Sequence, residues 1–500
     1  MDPMTLLPRP RFAESRDPRV LWRKWMRGEL EFTRTMALVT AVLMVAFAGD
    51  MVRYTIAWRG YAEVVAVLIV LLFIALRRRK PALRLRHLPL MLLLFMGWCL
   101  VTILWSRYRV ETGMASLVQV VTAFAGLAIA VSLTRYQFIR AAGVAFRGLV
   151  YGSLVFELYV ALVSPSGVIP PSYTWAGDMQ RMLDPTTPGT PGEMPAHLYW
   201  SFGNLLSGGA LQGLMGNRNL FAMVALLALI VTVAELWDRR LRPIAGGIGV
   251  AAALFAIART TSATVLVAGL FVGLAVVLVV LGRRIGRRWR WVMYGAVGTA
   301  LVVGAVLVVV YNNEVFAQMN RTSDMSGRGT IWRSVIALGS TAPLLGIGWI
   351  SYWAPWLPEF SSLAVIDGAA HHQAHNAFLD VWMQTGAVGL VLFAVLVFAT
   401  LIRTWWVAID RPDTPLVEPL RERGRPHLAG ATAVPFLFMV ALVVQAMTES
   451  RLLVEGGWLL LAYCAIYAKL RVQDPVMLPR RTGGERTGPI GVIVDPVRDL

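Results

Sequence analysis

Twelve stretches of this chain are apolar for long enough, or nearly so, to cross a bilayer as helices, and that excludes most of what 500 residues could otherwise fold into. A hydrocarbon core about 30 Å thick needs roughly 20 apolar residues in a helix. The stretches run at about 34–50, 61–76, 88–105, 112–133, 141–163, 218–236, 243–258, 261–281, 290–311, 375–402, 430–447 and 453–470. Hydrophobic residues make up 57% of the chain and charged residues only 15%, far from a soluble average. The expected fold is an all-α polytopic bundle of about twelve transmembrane helices. Cys99 and Cys464, its two cysteines, both lie in apolar runs, so no disulfide framework or cysteine metal site can be built from them.

The formal charge of +18 would suggest nucleic acid in a soluble chain, but in a polytopic one it reports loops retained in the cytoplasm. No nucleic-acid partner is expected. With a cytoplasmic N-terminus, the basic clusters in residues 1–33, in RRRKPALRLRH at 77–87, DRRLR at 238–242, RRIGRRWR at 283–290 and RERGR at 421–425 all fall on one side. The opposite side holds two long loops, 164–217 and 312–374, with nearly balanced charge. The organisation predicted is a cytoplasmic segment 1–33, spans one to nine within 34–311, a large extracytoplasmic loop at 312–374, spans ten to twelve within 375–470, and a Pro-, Gly- and Arg-rich cytoplasmic tail at 471–500. Both termini are then cytoplasmic. A cleaved leader is not expected, because a long charged segment precedes the first apolar run.

Ionisable groups deep in the spans would mark a transport path. Glu157 is the one expected there, with Arg147 about 15 Å along the same helix at 1.5 Å per residue. A lone carboxyl of this kind reads first as a hydrogen-bonded or protonated packing group. Neither an internal repeat nor a dominant GxxxG pattern points to an inverted-repeat transporter.

Polar residues collect instead in the two long loops. Loops of this length are uncommon unless functional or disordered. In the second, Ile331, Trp332, Val335, Ile336 and Leu338 recur at helical spacing, predicting a short helix on the membrane surface or against the bundle.

Six pieces then carry a resemblance: TILWSRYR at 102–109, MGNRNLFA at 215–222, GRGTIWRSVIALG, PLLGIGWISYW, HHQAHNAFLDVWMQTGAVGLVLF and MTESRLLVEGGWLLLAY. In this order the chain resembles the O-antigen ligase and Wzy-type polysaccharide polymerase superfamily. The resemblance implies a bundle of the GT-C-like kind with a helical extracytoplasmic loop, in the cytoplasmic (inner) membrane. It implies an enzyme that moves a glycan from undecaprenyl pyrophosphate to an acceptor hydroxyl on the outer face, without a metal or other cofactor. The acceptor would be a second glycan chain, a lipid A core or another hydroxyl. A transporter or flippase for the same lipid-linked glycan is the rival reading.

Such chemistry needs a base near the acceptor oxygen and cations near the phosphates. His375, in the family's His-Asn step beside Asn376, is the expected base; its alternative is a helix-start histidine with no chemical role. Arg328 matches the family's loop arginine and would hold pyrophosphate oxygens with its planar fork, the alternative being a salt bridge to Asp324. Arg321 and Arg333 are near enough to substitute. The family carries a basic residue just after a serine at the turn between spans seven and eight; here Ala263 follows Ser262, and Arg259 precedes it. Arg259 is kept as a second phosphate ligand, against snorkelling to headgroups. Arg218, Arg107 and Glu449 are assigned to the outer cavity, with Arg321, Arg218, Asn376 and Glu449 expected to contact substrate. Trp349, Trp353 and Trp356 are candidates to stack on sugars. Zinc at His371 and His375 lacks the glutamate of an H-E-x-x-H pair.

Overall fold

The computed structural model describes residues 31–79, 83–175, 198–310, 328–366, 369–370, 372–410 and 429–473. Its longer helices are α1 (Glu31–Phe47), α2 (Gly49–Arg79), α3 (Leu90–Val101), α4 (Arg109–Ser132), α5 (Arg135–Val163), α6 (Arg218–Trp237), α7 (Pro243–Thr260), α8 (Ala263–Arg284), α9 (Arg290–Val310), α10 (Arg328–Gly339), α11 (Ala377–Asp410), α12 (Val434–Ala446) and α13 (Glu455–Gln473). A helix lies on each apolar stretch, and α10 is the helix foreseen in the second loop. Seven of them, α2, α4 to α8 and α11, are long and apolar enough to cross a membrane, while α1, α3 and α12 are shorter apolar helices. The only sheet among the described residues is a two-residue antiparallel pairing of Val365–Ile366 with Ala369–Ala370.

Local chemistry sets the helix ends. At the start of α5 the Thr134 hydroxyl accepts from the Gln137 N–H and the Gln137 side chain accepts from the Thr134 N–H, a reciprocal cap. Asn217 caps α6 by accepting from the N–H groups of Asn219 and Leu220. Within α11, Thr385, Thr400 and Thr404 return their hydroxyls to carbonyls one turn back, which satisfies them in a segment with no water to hand. The stretch at 61–76 is part of a longer helix: α2 begins at Gly49 and kinks at Ile56 and Ala57, the latter with φ of 58°.

The bundle is organised around α6, α12 and α13. Residues 458–468 of α13 are buried without interruption, and α6 has 72% of its apolar window buried, whereas α2 has 11%. Helix α6 packs on α5 and α7, α13 on α4 and α11, and α12 on α8 and α11. The Phe138 and Tyr463 rings stack at 3.9 Å between α5 and α13. A second, smaller core lies beneath the second long loop, where Ile331 and Val335 of α10 meet Ile347, Ile350, Trp353, Phe360 and Met383.

The buried polar groups correct the sequence reading. Glu235, hidden in the apolar α6 stretch, is a second buried carboxylate within a candidate span, and Arg147 pairs with it at 2.5 Å. Glu157 accepts from the Ser201 hydroxyl and the Gln212 and Gly213 N–H groups, so it anchors the loop before α6. Both Arg147 and Glu157 are thus tied into packing contacts.

Candidate active site

The second long loop returns to the bundle through two close approaches of backbone. Gly346, at φ of 75°, lies where an added Cβ would sit 2.3 Å from the Gln384 carbonyl oxygen. Gly386, at φ of 67° inside α11, would place its Cβ 2.2 Å from the Leu344 backbone. Only glycine fits these two positions, so P-L-L-G-I-G and the Q-T-G of α11 form one interlocked step. The W-S step braces it from the far side: the Thr102 hydroxyl accepts from the Trp349 N–H, and Trp98 and Trp105 donate their indole N–H groups to Thr385 and Leu345 carbonyls.

On this step stands the turn that carries His375. His375 has φ of 49°, an uncommon conformation for a residue with a side chain. Four contacts hold the turn. Asp380, fully buried, accepts from the Ala374 N–H with one oxygen and from Trp353 Nε1 and Gln384 Nε2 with the other. Trp332 donates to the Ala374 carbonyl, the Trp353 N–H donates to the His372 carbonyl, and Asn376 caps α11 through the Phe378 and Leu379 N–H groups. Asn376 Nδ2 also reaches the Met447 carbonyl, fastening α11 to the end of α12.

Glu449, in the turn after α12, is the centre of the cluster. It is 4% exposed, and each carboxylate oxygen has two partners. Oε1 accepts from Arg328 Nη2 at 3.0 Å and Asn219 Nδ2 at 3.1 Å; Oε2 meets His375 Nδ1 at 2.9 Å and accepts from Gln373 Nε2 at 2.9 Å. Asn219 in turn accepts from the Ser262 hydroxyl at 2.7 Å. Burial pushes the Glu449 carboxyl up, but His375, Arg328 and Arg451 outweigh it and hold it at about 2. An ionised Glu449 takes the Nδ1–H of His375, which fixes the tautomer in which Nε2 carries no proton.

Arg328 pairs with Glu449; Asp324, its alternative partner, lies outside the described residues, as do Arg321 and His371. Arg218, at the start of α6, is close enough to Arg328 for the two guanidiniums to repel, an arrangement that favours an anion. Arg259 donates to the Asn204 and Leu205 carbonyls at 2.9 and 3.1 Å, holding the end of α7 against the loop that leads to α6. Arg333 turns back onto Gly329 and Thr330 of its own helix. Arg107 forms an exposed 3.5 Å bridge to Glu359. Trp349 and Trp353 are fully buried and cannot stack on a sugar, whereas Trp356 is exposed and donates to Glu111. His372 packs against the Tyr352 ring, and burial lowers its pKa. No group of three or more His, Cys, Asp or Glu that could hold a metal occurs among the described residues.

Sequence reasoning missed Asp380, Gln384, Asn219 and Gln373. Asp380 and Gln384 had a signal, a polar pair four apart in an apolar helix, which puts both on one face.

The family model described as O-antigen ligase matches residues 248–394, from α7 to the middle of α11. That span includes Arg259, Ser262, Arg328 and His375 and stops short of Glu449. Over 156 residues, 30% of this chain, the sequence is 24% identical to the exopolysaccharide production protein ExoQ of Rhizobium meliloti (strain 1021). The chain spans about a third of that relative's length, 36%. Residues 248–394 are thus similar to an O-antigen ligase domain, in a chain with seven helices long and apolar enough to cross a membrane among the described residues.

Proposed function

We propose that this protein transfers a glycan from undecaprenyl pyrophosphate to an acceptor hydroxyl at the outer face of the cytoplasmic membrane, as a surface-polysaccharide ligase or polymerase. The observation that carries the reading is the Glu449 carboxylate clasped between His375 and Arg328, which gives one buried site both a proton acceptor and a phosphate-binding cation. The family match and the exopolysaccharide role in the name of the matched relative support it.

In this mechanism Nε2 of His375 takes the acceptor proton as the oxygen bonds to the anomeric carbon. The bond from that carbon to the pyrophosphate oxygen breaks, and the lipid pyrophosphate leaves on the opposite face with inversion. Glu449 holds the imidazole and stabilises the positive charge that develops on it, as a carboxylate does behind a catalytic histidine. General-base help of this type supplies about 10²–10⁴ in rate. Arg328 and Arg218 face the departing pyrophosphate, with Arg259 and Arg321 as further candidates, and these guanidiniums do the work otherwise done by a divalent cation. Asn376, whose side chain caps α11 and holds the Met447 carbonyl, supports the His375 turn on the acceptor side of this mechanism. Donor, acceptor and membrane lipid are the partners; the acceptor is a glycan chain, a lipid A core or another hydroxyl.

Twelve helices serve as spans, with both termini cytoplasmic and the site extracytoplasmic. The supporting observation is that the N-termini of α6 and α11 and the C-terminus of α12, which carry the site, lie at the end opposite the arginine-rich loops. The test is incubation of the purified protein with lipid-linked oligosaccharide and a panel of acceptors, with and without excess chelator. Transfer that survives the chelator is expected; transfer lost to chelator and restored by zinc or magnesium would overturn the cation assignment.

A further inference from the structure

At the other end of the bundle, about 24 Å along α6 from Asn219 at 1.5 Å per residue, lies a cavity of about 160 Å³. Its walls are Tyr136, Ile139 and Arg140 of α5, Glu235 of α6, Asp238 and Arg240 beyond it, and Ala431 before α12. This end carries the basic loops and belongs to the cytoplasmic face in the topology proposed above.

Both acids of the wall are already engaged. Glu235 takes Arg147 from behind, and Asp238 accepts from the Gly430 N–H at 2.6 Å with one oxygen and the Ala431 N–H at 2.9 Å with the other. The two arginines of the wall are exposed and lie within electrostatic reach of the Glu235 carboxylate, which is already bonded to Arg147. Arg140 and Arg240 form no ion pair with a carboxylate among the described residues. Arg240 is instead fixed over the Tyr136 ring, 3.6 Å from its centroid, which holds the guanidinium at the cavity mouth without neutralising it. The space exceeds what one or two waters need. Two guanidiniums at a cavity between helices, one of them positioned over an aromatic ring, match the chemistry of a phosphate.

We propose that this cavity is a phosphate site, filled by the headgroup of an anionic lipid or by free phosphate. Arg140 and Arg240 form its fork, and Tyr136 sets the position of Arg240. The site is independent of the transfer chemistry at His375.

The test uses the purified full chain in phosphatidylcholine nanodiscs, titrated with cardiolipin or with inorganic phosphate. Arg140→Gln/Arg240→Gln is compared with Arg287→Gln/Arg288→Gln, which removes the same charge from exposed residues of a neighbouring basic loop. Wild type and the control pair should retain cardiolipin, and the cavity pair should bind it roughly 5- to 30-fold more weakly, at the usual contribution of a basic residue near an anionic surface. Inorganic phosphate that displaces cardiolipin, or binds alone with the same loss in the cavity pair, assigns the site to free phosphate; cardiolipin binding indifferent to phosphate assigns it to lipid. Equal loss in both pairs, no loss in either, or no binding of either probe to wild type overturns the proposal. Arg140→Gln alone keeps the Arg240–Tyr136 stack and repeats the test if the double variant melts early in phosphatidylcholine.

Discussion

His375 and Glu449, 74 positions apart in sequence, meet side chain to side chain at 2.9 Å between Nδ1 and Oε2. The contact joins the start of α11 to the turn after α12 and commits Nδ1, not Nε2, to the carboxylate.

Replacing the carboxylate should therefore reproduce much of the loss of the histidine itself. Glu449→Gln is expected to lower transfer by about 10²-fold or more, because an amide can donate to Nδ1 and permit the wrong tautomer. Initial rates at saturating donor check this, and a rate equal to wild type would remove Glu449 from the mechanism.

The same carboxylate gives the fold an acid sensitivity. A carboxyl held at about 2 in the folded protein and near 4.5 unfolded contributes stability that is fully present above pH 4.5 and lost as pH falls toward 2. Thermal unfolding of wild type should show that loss in this window, and Glu449→Gln should flatten it while costing about 3–5 kcal/mol at neutral pH for the partners left behind.

Arg328→Lys should rescue Arg328→Ala poorly, since an ammonium cannot hold Glu449 and a phosphate oxygen as a planar fork does. Donor binding, measured separately from turnover, should weaken in both variants. Full activity in both would remove the phosphate role.

Asp380→Asn tests whether the strained turn matters. The amide would aim a donor at Trp353, Gln384 or Ala374, each of which already donates, so the φ of 49° at His375 loses its support. Turnover should fall at least tenfold with donor affinity unchanged, a split that general unfolding would not produce.

Much of the architecture was legible because period and length survive in a single sequence. The apolar stretches landed on helices, and the 331–338 periodicity on α10. The site was legible only in part. His375 and Arg328 sit in local motifs, but Glu449 lies beyond the family-matched segment, and its role depends on a turn brought beside α6, α10 and α11 by packing. Glu235 was hidden by the apolar residues around it, since its partner Arg147 is on another helix 88 positions away. Trp349 and Trp353 read as exposed loop tryptophans because nothing local reveals that Trp353 packs into a core of the loop's own and Trp349 into the main core of the bundle.

Arg259 is the residue on which sequence and geometry pull apart. Its contacts with Asn204 and Leu205 predict that Arg259→Ala loosens the loop before α6, and that adding Ala263→Arg restores activity only if a phosphate contact was lost. Protease sensitivity of the 198–217 loop separates the two roles.

The most direct test of the central claim is single-turnover transfer by purified His375→Ala, with lipid-linked oligosaccharide bound and the product resolved by mass spectrometry. The account predicts donor binding like wild type with no transferred glycan; transfer at the wild-type rate would contradict it.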